Sequence, residues 1–147
     1  MTTKALSYRL LRLGAIPKKA QAVLESEGIV VADEGMRGRM IMRDVKAPGK
    51  RYKHRHEGFS GWLAVTEKRI VCVTYWKRQI NIGADDPKVA QLHATVPEPD
   101  TLSIAFESGT FREGWAGEIE FRFRTDRARA FAEALHAAGA GSQAAAS

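Results

Sequence analysis

The chain has 147 residues, 44% of them hydrophobic, which suits one globular domain with a single core rather than two domains. No window approaches the roughly 18 unbroken apolar residues of a membrane span and the N-terminus has no apolar signal core, so a cytoplasmic protein is expected. The net charge of +6 favours anionic partners, and much of the excess is local, because Arg43, Lys46, Lys50, Arg51, Lys53 and Arg55 fall within one short span.

Taken in chain order, the first segment offers Thr2 or Thr3 as a helix cap, Leu6, Leu10 and Leu13 at helical spacing, and Gly14 as a stop. Pro17 suits the first turn of a second helix, where its missing N–H would be unpaired in any case; Ala20, Val23 and Leu24 supply the apolar side and Gly28 ends it. Both helices carry cations. Their apolar stripes are narrow and lack a Trp or Phe anchor, which favours docking on the domain's own sheet or a dimer contact over a membrane surface. Residues 1–27 thus read as a helical extension.

From Gly28 the hydrophobic period changes to two, with strand runs at 29–32, 39–45, 59–66, 69–76, 79–82, 89–94, 101–107 and 118–124. In the last of them Ile119, Phe121 and Phe123 alternate with Glu118, Glu120, Arg122 and Arg124, giving one face to a core and one to water. The clearest hairpin is GFSGWLAVTEKRIVCV, Gly58 to Val73, two strands around a Thr66-Glu67-Lys68-Arg69 corner. Cys72, the only cysteine, lies in it between two valines and is expected to be a buried, inert thiol. Residues 108–117 form a glycine-rich connection bearing Phe111 and Trp115. A helical period returns after Thr125, with Asp126 as candidate cap, Ala128, Phe131, Ala132, Leu135 and Ala138 on one face, and Gly139 as the stop. The tail, residues 140–147, has too few hydrophobes to offset its ordering entropy and is expected to be mobile.

The GWLAVTEKRIVCV hairpin, the finishing strands LSIAF and EIEFRFR, and the single amphipathic helix after them resemble the bacterial pleckstrin-homology-like domains. That family's recurrent Leu-x-x-Thr-x-x-Arg-hydrophobic hairpin is matched by Leu63, Thr66, Arg69 and Ile70, and the resemblance spans roughly residues 29–138. It implies an α+β fold: a partly open antiparallel barrel of about seven strands with a C-terminal capping helix over residues 28–139. It also implies a binding scaffold for lipids, peptides or self-association rather than an enzyme. The two N-terminal helices depart from the minimal fold.

The basic segment between two strand runs carries the main functional expectation. Pro48-Gly49 makes it a loop, and Lys46 or Lys50 followed by Lys53-His54-Arg55 is similar to the lysine and basic-x-Arg pattern with which some pleckstrin-homology domains hold phosphates. In an extended stretch Lys53 and Arg55 point to one side, and an arginine can give two donors to one phosphate. Lys46, Lys50, Arg51, Lys53 and Arg55 are therefore the anion or lipid candidates, against a plainly solvated basic loop. Phe111 and Trp115 are candidate partner contacts, against folding back on the barrel rim. Trp76 with Lys77-Arg78 is a thin nucleic-acid signal; core packing is favoured for its ring. Asp85-Asp86-Pro87 reads as a cap or loop, not an acid pair. His54 and His56 lack a second ligand cluster for a metal, and no phosphate-loop motif is present, so neither cofactor nor catalytic site is expected. The leading expectation is a non-catalytic module for protein interaction or self-association, and the alternative is peripheral binding to anionic lipid headgroups through residues 46–56; nucleic acid ranks below both.

Overall fold

A computed structural model of the chain describes Lys4, Ala5 and residues 14–142. The described residues form helix α1 (Lys18–Glu27), strands β1 (Ile29–Ala47), β2 (Lys50–Thr66), β3 (Arg69–Thr74), β4 (Lys77–Gly83), β5 (His93–Glu98), β6 (Thr101–Glu107) and β7 (Ala116–Arg124), and helix α2 (Ala128–Ala137). The strands make one antiparallel sheet in the order β4-β3-β2-β1-β7-β6-β5, so an α+β domain with seven strands and a C-terminal helix is what forms. It is not a closed barrel, because β4 and β5 are edges that do not pair with each other.

All seven strands nonetheless send residues into one core, which requires the sheet to curl around it. Phe121, Phe123, Ile104 and Leu63 are fully buried there, and α2 adds Phe131 and Leu135, each burial contributing about 1.5–3 kcal/mol. Alternation places a second, smaller cluster on the other face of β2 and β3. Trp62, Ala64, Val71 and Val73 meet Leu24, Ala20 and Ile16 there, so α1 docks on the domain's own sheet. Gly28 ends α1 in the left-handed region (φ 82°), as its position predicts. The first expected helix, with Leu6, Leu10 and Leu13, lies outside the described residues apart from its ends. Lys4 and Ala5 run against β1, where the Ala5 N–H donates to the Gly35 carbonyl at 2.8 Å.

Several boundaries differ from the sequence reading. The runs at 29–32 and 39–45 are one long strand, whose pairing with β2 shifts register between Ile29 and Val31 and again between Asp33 and Met36, which a pattern of period two cannot show. The run expected at 89–94 begins as a 3₁₀ turn, Pro87–Gln91, and β5 starts at His93. The Asp86 carboxylate accepts from the Lys88 N–H at 2.8 Å and caps that turn, so the acid pair is a cap. At α2 the helix starts after Arg127. Asp126 does not cap it and no side chain does; the Thr125 hydroxyl accepts from the Arg127 N–H at 3.1 Å, ahead of the first turn. In the expected tail, Gly141 lies beside β5, accepting from the Ala94 N–H at 2.9 Å and donating to the Leu92 carbonyl at 2.8 Å, and Ala140 is buried.

Candidate functional site

The Thr66 corner shows why its residue types belong together. The Thr66 hydroxyl is buried and accepts from the Lys68 N–H (3.1 Å) and the Arg69 N–H (2.9 Å), satisfying two donors that the turn would otherwise strand. It donates in turn to Glu27 at 3.1 Å, and the Arg69 guanidinium grips the same carboxylate at 2.8–2.9 Å. Leu63 and Ile70, flanking the corner, are fully buried. The motif therefore fixes a hairpin and ties α1 to it, a structural role.

The basic segment is not a loop. It is the first half of β2, paired with β1 from Ala47 opposite Lys50 through Met42 opposite Arg55, with Pro48-Gly49 alone as the turn. Residues in two-stranded pairing need no apolar alternation when both faces are solvated, which is why the pattern reads as a loop. Lys46, Lys50 and Lys53 are exposed and make no ion pair among the described residues. Arg51 meets Asp44 at 2.9 Å in a solvent-exposed pair, and that hydrogen bond holds the Asp44 carboxyl below its usual range. Arg55 stands apart from these four. It pairs with Glu57 at 2.6 Å, lies 5.2 Å from the centre of the Tyr52 ring, and faces a cleft that they do not line.

That cleft, about 330 Å³, opens at one mouth of the curled sheet, with Met40, Met42 and Phe59 as its apolar floor. Three hairpin ends supply its walls: Tyr52 and Arg55 from β2, Tyr75, Trp76 and Lys77 from the β3–β4 turn, and Arg112 and Trp115 from the β6–β7 connection. The structure thus brings Arg55 and Trp115, drawn from the two separate sequence candidates, to one place. Phe111 does not join them. It folds back edge-on against Phe106, with centroids 5.1 Å apart, and packs on the core. The Arg112 guanidinium stacks 4.7 Å from the centre of Trp115 and donates to the Gln79 side chain; burial depresses its pKa against the pull of Glu57 and Tyr52.

Trp76 corrects the expectation of core packing, since 81% of it is exposed. The preceding Tyr75 occupies the left-handed region at φ 57°, a conformation that costs a non-glycine residue about 1–2 kcal/mol. Its N–H donates to the Ser60 carbonyl at 2.7 Å, which holds the turn and presents the Trp76 ring at the rim. The sequence signal for this was the two-residue spacing between β3 and β4, concealed because both residues have strong strand preference. Cys72 is fully buried and burial pushes its thiol pKa well up, as an inert cysteine requires. His93 and His136 lie on β5 and α2, where the His136 ring is 2.7 Å from the Ala94 carbonyl.

No protein-family model and no curated protein sequence matches the chain. Among the described residues no helix is long and apolar enough to cross a membrane.

Proposed function

We propose that this domain is a non-catalytic binding module on a pleckstrin-homology-like scaffold, acting in the cytoplasm and engaging a protein partner, which includes a second copy of itself, at the mouth cleft. The strand order β4-β3-β2-β1-β7-β6-β5 with a helix packed after the last strand supports the scaffold reading. The observation that carries the binding reading is Trp76, held out at the rim by a strained turn beside Tyr75, Trp115, Arg55 and Arg112. Trp, Tyr and Arg are the residue types that dominate binding energy at protein interfaces, and an exposed indole gains most by being covered. The test is sedimentation velocity over a concentration series, alongside selection of a random peptide library on the wild-type protein. Truncating a residue of this kind at an interface costs about 2 kcal/mol or more, about thirtyfold in affinity. Trp76→Ala should therefore abolish the self-association or the selected peptide binding while leaving the thermal transition in place, since little of the ring is buried. Binding equal to wild type would exclude the cleft.

A second reading rests on one observation of its own: Lys46, Lys50 and Lys53 project from the β1–β2 hairpin without carboxylate partners among the described residues. Juxtamembrane cations of this kind contribute about 1 kcal/mol each toward an anionic surface. Co-sedimentation with anionic but not neutral vesicles, lost at high salt and in the Lys53→Glu, Arg55→Glu double variant, is the expected outcome for that reading.

A further inference from the structure

We infer that the solvent face of β1, β2 and β7 holds a binding site for a phosphate group, centred on His56 and formed by Arg39, Arg43, Arg122, His54 and His56. Arg39 stands directly opposite Arg122 in the β1–β7 ladder. Such residues have Cβ atoms about 4.5–5.5 Å apart, and like charges so placed destabilise the sheet. Arg122 is compensated on one side by Glu120 at 2.7 Å, whereas Arg39 makes no ion pair or hydrogen bond among the described residues. On the other flank of β1, Ile41 and Arg43 face His56 and His54, whose Nε2 atoms lie 2.7 Å apart. Two imidazoles at that distance share one proton between the facing nitrogens, which leaves each Nδ1 as the ring atom free to meet a ligand.

The arginine pair and the histidine pair border one groove of about 440 Å³, lined by Arg37, Arg39, Arg43, Arg122 and Arg124 with Glu98 as the one acidic residue of its lining. Glu118 and Glu120 lie on the same face: Arg43 bridges both, at 2.5 and 2.8 Å, Ser103 donates to Glu120 at 2.6 Å, and the second oxygen of Glu118 is buried without a hydrogen bond. Arg124 is 3.8 Å from Asp100. Arg43 and Arg122 are thus matched by Glu118 and Glu120, and Arg39 is left uncompensated beside the histidines. A tetrahedral dianion placed there can accept paired donors from Arg39 and Arg122 and a ring N–H from His56. The groove is larger than one phosphate, which leaves room for the organic part of a phosphomonoester.

A linked protonation follows from the same geometry. Burial lowers the His56 pKa, and His54, Arg39, Arg43 and Arg122 lower it further. An anion seated among these groups reverses that repulsion, so binding takes up a proton. Sulfate, whose charge stays constant, should therefore bind more tightly at about pH 6 than at about pH 8.

The experiment is histidine-ring NMR on the full chain, titrated with sulfate and with phenyl phosphate, on wild type and Arg39→Gln. The expected result is movement of the His54 and His56 signals, a rise in the His56 pKa at saturation, and a roughly tenfold weaker response in Arg39→Gln, the equivalent of one charge-assisted hydrogen bond. Arg39→Gln should keep the wild-type thermal transition or raise it, because Arg39 supports nothing in the fold. Vesicles of phosphatidic acid in phosphatidylcholine, beside phosphatidylcholine alone, identify the source. Binding lost in Arg39→Gln but kept in Lys50→Glu, Lys53→Glu assigns a lipid headgroup. Response to phenyl phosphate without vesicle binding assigns a soluble ester. Histidine signals that move with neither ligand, or that move equally in Arg39→Gln, overturn the site.

Discussion

Replacing Glu120 by Gln removes one negative charge while keeping the side chain's shape, at a position where the sheet's solvent face is tied together. The carboxylate is only 5% exposed and accepts from Ser103 (2.6 Å), Arg122 (2.7 Å) and Arg43 (2.8 Å). Hydrogen bonds to a charged group contribute about 1.5–3 kcal/mol each, roughly twice the neutral value, and an amide keeps one acceptor while turning its NH₂ toward a guanidinium. Both arginines are partly solvated, so the loss stays below the about 3–5 kcal/mol of a fully buried broken pair. We expect Glu120→Gln to cost about 2–3 kcal/mol at neutral pH. For a chain of this size that is a fall in Tm of about 6–10 °C, measured by calorimetry or circular dichroism.

Acid should erase the difference. Burial pushes the Glu120 carboxyl up, but the bonds from Ser103, Arg122 and Arg43 outweigh it and hold its pKa below the ordinary 4.5. A carboxyl depressed in the folded state contributes stability that is complete above the unfolded value and disappears as pH falls through the folded value. The gap between wild type and variant should therefore begin to narrow below pH 4.5 and close only once pH has fallen through the depressed folded value, where both carry a neutral side chain. A gap under about 0.5 kcal/mol at neutral pH, or one undiminished in acid, would refute the charge-based account.

Thr66→Val keeps shape and strand preference but strands the Lys68 and Arg69 N–H groups, while Glu27 keeps Arg69 on both oxygens; denaturant titration should show a loss of about 1–3 kcal/mol, and an unchanged midpoint would reduce the motif to coincidence. Gly38 lies opposite Phe59, and a Cβ there would meet the Phe59 ring at 2.2 Å and the Arg122 carbonyl at 2.9 Å. Gly38→Ala should cost about 1–3 kcal/mol by displacing a ring packed edge-on against Phe121 and Phe123, with a wild-type Tm as the contrary result. Cys72 should react with a thiol reagent only as fast as the domain opens, so labelling should slow as stability rises. Prompt labelling in native buffer would place the thiol outside the core.

The mouth cleft and the groove were legible in the sequence to different degrees. Arg55 and Trp115 were visible as a basic pattern and as aromatic residues in a glycine-rich connection, but nothing local says that residues 60 positions apart share one rim. Trp76 reads as a core residue in the sequence because its strand preference is the same whether the strand continues or turns. Arg39 and Arg122 look like ordinary solvent-facing members of alternating strands. Their conflict exists only once β1 lies beside β7.

By itself the sequence determined the elements whose information is local. The period-two runs of β6 and β7, the 3-4-7 stripe of α2, the glycine after α1 and the Thr66 corner are dictated by side-chain periodicity and by backbone groups needing partners within a few residues. Tertiary structure decided what depends on distant neighbours: that residues 50–58 are strand because β1 pairs with them, that β4 and β5 remain edges, and that three hairpin ends meet at one mouth. Pairing partners are chosen by burial of the whole sheet face, a free energy summed over the fold that no single segment contains.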